Sequence, residues 1–332
     1  MARPAARIKA SIRNGVLRSG PDPDYADGDD ASWLEVDWPA LTRTEQVGDA
    51  TINFIDTGTA DDPGKPVLLF LHGLSGLWQN WLLTIPAFMD EYRCVAPDVP
   101  GFGASTLDRE DITIRGYAEI IDAFCQRIGV RRAVVVGNSM GGFIAAELAL
   151  SFPTRVEKLV LVSAAGLSIE YVRPEPLLAF GYFVTKSRVQ SLIPYGRAIA
   201  RPGLRRLALQ MFVRYPEKLS LPLAWELVQG TGRAALLHAL KALTSYSFRD
   251  RLTEIEIPVL IVWGENDLLV PVGDAARFER LIGANARSVI FEDTGHGPMI
   301  ERPTRFSELL RGFLAEEARP EDAVPGTHAP AE

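Results

Sequence analysis

Residues 133–143 read AVVVGNSMGGF, and this stretch decides the fold. Four apolar residues, three of them valines, stop at Gly137, which is typical of a short strand buried on both faces. A helical pattern then runs to Phe152, so the stretch predicts a strand, a very tight turn and a helix. Ser139 lies at the apex of that turn, where flanking glycines remove clashing Cβ atoms. The G-x-S-x-G pattern alone is weak, but this context predicts a nucleophilic serine exposed at the edge of a sheet.

Short apolar runs of the same kind recur along the chain, and most of them end at glycine, proline or a turn. They predict strands at 50–56, 66–71, 92–99, 133–136, 158–163, 257–263 and 287–291. Helical patterns lie between them at 114–128, 141–152, 274–282 and 304–315. This alternation predicts the α/β fold class, with a mostly parallel sheet and helices on both faces.

The alternation stops between residues 168 and 249, where the pattern is helical throughout. This segment carries 12 basic and 4 acidic residues, a net charge of +8 that leaves −15 for the rest of the chain. Because it separates two strands of one sheet, we interpret it as an inserted helical lid, or cap, over the end of the sheet. Attraction between lid and body is the simpler account of the charge split. Guidance of acidic substrates, or contact with an anionic membrane, is the alternative.

The same reasoning divides the whole chain into four parts. Residues 1–44 form an N-terminal arm, 45–167 and 250–318 form the α/β core, and 168–249 form the lid. We expect the tail, residues 319–332, to be disordered because it is polar and rich in proline.

Composition argues against several classes of protein. The chain has 332 residues, 47% of them hydrophobic and 23% charged, and a net charge of −7, which is typical of a globular protein and unfavourable for nucleic-acid binding. Neither a secretory signal nor an apolar run of the ~20 residues that span a bilayer is visible, so we expect a cytoplasmic protein. The basic N-terminal arm or the lid remains a candidate for peripheral membrane contact, and the sequence leaves the oligomeric state open.

Metal and cofactor signatures are also missing from the sequence. It contains no H-E-x-x-H or C-x-x-C pattern, and no strand-linked G-x-G-x-x-G or phosphate-binding G-x-x-x-x-G-K-[ST]. Its two cysteines, Cys94 and Cys125, fall in apolar patterns and are predicted to be buried, unpaired thiols. We therefore expect no cofactor and no metal.

A serine hydroxyl needs a base at neutral pH, and the chain offers only four histidines. His72 closes an early strand and fits a role in shaping its loop. His238 lies in the helical insertion, and His328 lies in the tail. His296 remains, between two glycines on the loop after strand 287–291, and it is predicted to be the base.

The base in turn needs a carboxylate that fixes its tautomer. Strand 257–263 is followed by Gly264-Glu265-Asn266-Asp267, and Asp267 lies in the turn where such a group belongs. Glu265 is the main rival, and Asp293 is a neighbour of His296 in sequence. Asp274 is better explained as the start of the next helix. We favour Asp267, which gives the chain order Ser139, Asp267, His296.

An oxyanion needs hydrogen-bond donors, and we expect two backbone N–H groups to supply them. One is the amide of Met140, directly after the serine. The other is the amide of Leu74, on the loop after strand 66–71.

Together these pieces resemble the α/β-hydrolase superfamily over residues 45–315. The matching stretches are Leu71-His72-Gly73, DVPGFGAS at 98–105, GNSMGG at 137–142, GEND at 264–267 and Gly295-His296-Gly297. The resemblance implies a mostly parallel sheet of eight strands, a helical lid inserted before the strand that bears the acid, and hydrolysis through a covalent acyl-enzyme.

The resemblance leaves the substrate class open. Epoxide hydrolases and haloalkane dehalogenases use an aspartate nucleophile, so Ser139 argues against both. The string GNSMGG also looks like the meta-cleavage-product hydrolases, which cut a carbon–carbon bond. That group typically has a tryptophan after the histidine and a loop rich in glycine and proline, whereas here Gly297 follows His296 and the loop reads GLSGLW at 73–78. We therefore expect a carboxylesterase or lipase that acts on a small hydrophobic ester. A carbon–carbon hydrolase and a non-catalytic ligand-binding protein on the same fold are the alternatives.

Overall fold

The fold is described by a computed structural model for residues 24–26, 32–58, 64–109, 111–171, 199–229 and 235–316. Its strands are β1 (Thr42–Val47), β2 (Ala50–Asp56), β3 (Val67–Leu71), β4 (Arg93–Pro97), β5 (Thr106–Leu107), β6 (Ala133–Asn138), β7 (Val156–Val162), β8 (Val259–Gly264) and β9 (Ala286–Phe291). They form one sheet, in which eight strands follow the order β1-β2-β4-β3-β6-β7-β8-β9 and β5 pairs with β2.

The sheet is antiparallel at one edge and parallel everywhere else. β2 runs antiparallel to β1, β4 and β5, whereas all neighbours from β4 across to β9 are parallel. The predicted α/β class and mostly parallel sheet are therefore confirmed. The sequence patterns locate seven of the nine strands in the described part of the chain, and the edge strand β1 and the two-residue strand β5 are not among them. The resemblance implied eight strands.

The helices of four residues or more are α1 (Trp38–Leu41), α2 (Ile114–Arg127), α3 (Met140–Ser151), α4 (Pro202–Leu209), α5 (Leu221–Val228), α6 (Ala235–Thr244), α7 (Gly273–Ile282), α8 (Pro298–Glu301) and α9 (Pro303–Ala315). Short 3₁₀ helices lie at Ser32–Leu34, Trp78–Trp81, Ile85–Ala87, Ser168–Tyr171, Pro216–Lys218 and Arg249–Glu254. Between β7 and β8 the described residues form helices and connections only, and residues 172–198 and 230–234 of the predicted lid lie outside the described residues.

The central strands are buried on both faces because helices cover both sides of the sheet. On β6, Ala133 and Val135 join an apolar cluster with α2, α3 and α7, whereas Val134 and Val136 join a second cluster with α9. This alternation follows from the two-residue period of a strand. It explains why the sequence shows continuous apolar runs rather than alternating ones.

The order of the strands creates a crevice at one end of the sheet. β3 and β6 are parallel neighbours, with Leu71 opposite Gly137, but β3 leads toward β4 on one side and β6 leads toward β7 on the other. The loops that follow them therefore diverge, and ligands of open α/β sheets bind at such a switch point.

Burial bears on two further predictions. Cys94 on β4 and Cys125 on α2 are buried and unpaired, as predicted, and burial raises the pKa of each thiol to about 12. In the described part of the chain, no helix is both long enough and apolar enough to cross a bilayer. The basic head of the N-terminal arm, the tail and His328 lie outside the described residues.

Candidate active site

Ser139 occupies a strained turn between β6 and α3. Its backbone angles are φ 54° and ψ −118°, a conformation that an L-residue adopts only where its surroundings impose it. The turn is compact because two glycines permit it. A Cβ on Gly137 would lie 2.3 Å from the carbonyl oxygen of Gly141, and one on Gly141 would lie 2.2 Å from that of Leu71. Ser139 is the N-cap residue of α3, yet its hydroxyl caps no helix amide, which leaves the hydroxyl available for chemistry.

The loop after β3 lies directly against the serine. A Cβ on Gly73 would come within 3.0 Å of the Cβ of Ser139. The carbonyl of Gly73 accepts hydrogen bonds from His72 Nδ1 at 2.8 Å and from the amide of Gly76 at 2.9 Å. In a planar trans peptide, C=O and the next N–H point in opposite directions, so these bonds turn the amide of Leu74 away from His72.

His72 therefore shapes this loop. Its Nε2 accepts the amide of Val99 at 2.8 Å, which leaves the proton on Nδ1 for Gly73. Burial lowers the pKa of the His72 imidazole and keeps the ring neutral in this arrangement.

Asp267 and His296 form a buried pair. Asp267 Oδ2 lies 2.7 Å from His296 Nδ1, and the two side chains are 0% and 2% exposed. The other carboxylate oxygen, Oδ1, accepts the amides of Leu269 and Val270 at 2.8 and 2.9 Å. The carboxylate is thus fixed on both sides, so Nδ1 carries the proton and Nε2 remains as the basic nitrogen.

The other acidic groups considered from the sequence have different partners. Glu265 accepts the amide of Asp293 at 3.4 Å. Asp293 pairs with Arg214 at 2.6 Å, and Asp274, in the first turn of α7, pairs with Arg277 at 3.0 Å. The structure therefore brings Asp267, rather than any of these three, to His296.

Asn138 connects the serine turn to the histidine loop. Its Nδ2 donates to the carbonyl oxygen of His296 at 3.3 Å and to that of Val162 at 3.1 Å. The three sequence segments that bear Leu74, Ser139 and His296 consequently meet at the carboxyl ends of β3, β6 and β9. Sequence reasoning placed Asn138 in the turn but gave it no function.

Phe212, which the sequence places in an apolar stripe of the insertion with Leu204, Leu207 and Met211, lies against His296. The two ring centroids are 5.9 Å apart, and the carbonyl of Phe212 accepts the amide of His296 at 3.0 Å. Helix α4 ends at Leu209, so Phe212 lies beyond the helix and no longer follows its spacing. The side chains of Leu204, Leu207 and Met211 are exposed. No signal in the sequence indicates this contact.

The end of β8 holds the histidine loop by close backbone packing. A Cβ on Gly264 would lie 1.9 Å from the carbonyl oxygen of Gly295, and backbone cannot yield as a flexible side chain can. We expect Gly264→Ala to displace the loop, to lower the free energy of unfolding by about 2–4 kcal/mol and to reduce activity. Chemical denaturation followed by circular dichroism measures the first effect.

Gly273 provides the matched control, because nothing lies within 4 Å of a Cβ placed there. Gly273→Ala, in the first turn of α7, should change stability by less than about 1 kcal/mol. Equal stability of the two variants would contradict the packing described for Gly264.

Comparison with known proteins agrees with this fold. A family model described as the alpha/beta hydrolase fold matches residues 66–303. The chain therefore belongs to the alpha/beta-hydrolase fold family, and the predicted resemblance is confirmed.

The similar proteins are named for different substrates. The 2-hydroxy-6-oxononadienedioate/2-hydroxy-6-oxononatrienedioate hydrolase of Paraburkholderia phymatum is 29% identical over 300 residues, covering 83% of this chain and 99% of the relative. The monoacylglycerol lipase of Homo sapiens is 28% identical over 261 residues, covering 76% of this chain and 77% of the relative. A structure of the meta-cleavage product hydrolase of Pseudomonas fluorescens superposes with a TM-score of 0.62 at 25% identity, covering 82% of this chain and 97% of the other.

Proposed function

We propose that this alpha/beta hydrolase is a serine esterase that cleaves a hydrophobic carboxylic ester through an acyl-enzyme, with Ser139, His296 and Asp267 as its catalytic triad. The observation that carries the proposal is the buried 2.7 Å contact between His296 and Asp267, on a loop that Asn138 ties to the serine turn. An imidazole oriented by a carboxylate, on a loop bonded to the turn that bears a strained, uncapped serine, supports activation of that hydroxyl as a nucleophile.

In the first half of the reaction, Nε2 of His296 takes the proton of Ser139 as Oγ attacks the ester carbonyl carbon. The carbonyl becomes a tetrahedral oxyanion, and Asp267 stabilises the imidazolium without taking its proton. His296 then protonates the alkoxy oxygen, the alcohol leaves, and the acyl group stays on Ser139. Water repeats the sequence on the acyl-enzyme and releases the carboxylic acid.

The amides of Leu74 and Met140 are the proposed donors to the oxyanion. Met140 is the first residue of α3, so its N–H has no partner within the helix and the helix dipole favours negative charge there. The Leu74 amide is turned away from His72 by the bonds to Gly73. The loss of one such donor typically costs ~2.7–4 kcal/mol of transition-state stabilisation.

The surroundings of His296 favour an apolar substrate. Phe212 covers the imidazole, and Leu74 is partly buried against one of the two apolar clusters. We expect kcat/KM for p-nitrophenyl esters to rise with acyl length, about fourfold per buried methylene, until the pocket is full.

A series of p-nitrophenyl esters from acetate to dodecanoate, assayed at substrate concentrations below micelle formation, measures this. Succinate and other charged acyl groups serve as the matched controls of equal length. A preference for the charged members would contradict the apolar pocket.

Carbon–carbon hydrolysis is the second candidate, and two observations favour it. The relative from Paraburkholderia phymatum is named as a hydrolase of 2-hydroxy-6-oxo dienoate compounds. Asn138 and Met140 also flank Ser139 in the string GNSMGG, which resembles that of the meta-cleavage-product hydrolases. Against it stands the sequence around the base, because Gly297 follows His296 where that group typically has a tryptophan.

A direct comparison separates the two reactions. The enzyme is given a p-nitrophenyl ester and a 2-hydroxy-6-oxohexa-2,4-dienoate in parallel, and kcat/KM is measured for each. Ester turnover at least about 100-fold faster than dienoate cleavage supports the esterase. Dienoate turnover with an inert ester would reverse the assignment.

A further inference from the structure

A second buried carboxylate lies behind the proposed base. Glu301 is the last residue of α8 and is 0% exposed. Its Oε1 accepts the amides of Gly295 at 2.9 Å and Gly297 at 3.2 Å, the residues on either side of His296. Glu301 lies one helical turn after Gly297, so its carboxylate is close to the loop from which α8 begins.

The other oxygen of Glu301 accepts hydrogen bonds from two distant parts of the chain. Oε2 accepts the amide of Arg214, in the insertion, at 2.8 Å and the hydroxyl of Tyr25, in the N-terminal arm, at 2.9 Å. The Tyr25 hydroxyl in turn accepts the amide of Tyr215 at 2.8 Å. One carboxylate therefore joins the histidine loop, the insertion and the arm.

The arm is held at this point by more than one contact. The amide of Ala26 donates to the carbonyl of Glu301 at 2.8 Å, and Asp24 pairs with Arg302. The rings of Tyr25 and Tyr215 meet edge to face with centroids 5.2 Å apart. Tyr25 is consequently a fixed part of the assembly.

The ionisation of Glu301 and Tyr25 is governed by burial and by the hydrogen bonds between them and their neighbours. Burial raises the pKa of Glu301, and the hydrogen bonds it accepts oppose that rise. Burial and the neighbouring carboxylate raise the pKa of Tyr25, which keeps its hydroxyl protonated and donating. Replacement of either oxygen of Glu301 by an amide NH₂ would place a donor against donors, which is costly in a buried site.

The backbone around His296 has three consecutive amides with assigned acceptors. The amides of Gly295 and Gly297 donate to Glu301, and the amide of His296 donates to the carbonyl of Phe212. Glycines supply no side chain that would fix such a loop by packing, so these bonds hold the loop together with the backbone packing at Gly264 and the bond from Asn138.

We propose that Glu301 and Tyr25 are positioning residues that hold the His296 loop in its reactive geometry, and that the N-terminal arm thereby contributes to catalysis. This inference rests on the proposed role of His296 as the base. The two residues do not touch the substrate. They act through the loop backbone, and a displacement of about 1 Å at a base can lower the rate about 100-fold.

The chain contains a matched pair for comparison. Glu147, on α3, is also 0% exposed and also accepts a tyrosine hydroxyl, that of Tyr246. Its remaining side-chain partners are Ser151 and Arg251, so this pair is not bonded to the histidine loop. Tyr246→Phe therefore removes a tyrosine hydroxyl that donates to a buried glutamate, as Tyr25→Phe does.

The test compares Tyr25→Phe, Glu301→Gln and Tyr246→Phe in the full-length protein. Steady-state kinetics gives kcat and KM for a p-nitrophenyl ester at a temperature where circular dichroism shows each variant to be folded. Proton NMR observes the downfield Nδ1 resonance of His296, which reports its hydrogen bond to Asp267 without any turnover.

We expect kcat to fall about 5-fold in Tyr25→Phe and about 10- to 100-fold in Glu301→Gln, with KM nearly unchanged and the Nδ1 resonance shifted or broadened. Tyr246→Phe should keep kcat within about twofold and keep the resonance. If the first two variants lose thermal stability but retain kcat and the resonance, the role is structural alone and the proposal is overturned. An unreactive wild-type protein would instead refute the esterase proposal, while the NMR signal would still decide this one.

Discussion

Replacement of Ser139 by alanine should remove hydrolysis of p-nitrophenyl esters almost completely, by about 10⁵- to 10⁶-fold in kcat. The hydroxyl is the only group that can form the acyl-enzyme in the proposed mechanism. Because it caps no amide of α3, its loss should leave the fold intact, with a change of less than about 1 kcal/mol in the free energy of unfolding. Initial rates, corrected for spontaneous hydrolysis, measure the effect.

Ser163 provides the matched control for this variant. It directly follows β7, the neighbour of β6, and it too has a positive φ, of 46°. Ser163→Ala should keep kcat within about threefold and keep covalent labelling by a fluorophosphonate, whereas Ser139→Ala should lose the label. Unchanged labelling in Ser139→Ala would mean that another residue is the nucleophile.

Asp267→Asn should lower kcat by about 10³- to 10⁴-fold, because it forces the wrong tautomer on His296. The amides of Leu269 and Val270 donate to one oxygen of Asp267, so the carbonyl of an asparagine must take that place. Its NH₂ then faces Nδ1 of His296, which must accept rather than donate. The proton moves to Nε2, and the base can no longer accept the proton of Ser139.

Glu265→Gln is the matched control, since Glu265 lies two residues away and is exposed. It should retain kcat within about threefold. Loss of activity in Glu265→Gln together with a retained rate in Asp267→Asn would transfer the orienting role to Glu265. Fluorophosphonate labelling rates of both variants, measured across pH, provide an independent check.

The elements that position the candidate site could be predicted because local sequence marks each of them. Ser139 and Asp267 each follow a continuous apolar run, His296 follows the shorter apolar run 289–291, and glycines stand beside each of the three segments. By contrast, β1 was missed because its sequence, TRTEQV, shows no apolar run. It is an edge strand with most of its side chains at least partly exposed, so burial imposes no pattern on it.

Contacts between distant segments could not be predicted in the same way. Tyr25 and Glu301 are separated by 276 residues, and neither belongs to a periodic pattern that indicates a partner. Phe212 was grouped with Leu204 and Leu207 by helical spacing, but the end of α4 separates it from them. Such pairings depend on how the insertion and the arm dock on the core, and a single sequence carries no local signal for docking.

The placement of the insertion between β7 and β8 has a consequence for changes of specificity. An exchange of residues 168–249 for the equivalent segment of a relative would leave Ser139, Asp267 and His296 unchanged. However, Phe212, Arg214 and Tyr215 supply backbone partners to His296, Glu301 and Tyr25. A graft that omits these three positions would remove backbone partners from His296, Glu301 and Tyr25, and on the positioning role proposed above it should lower kcat.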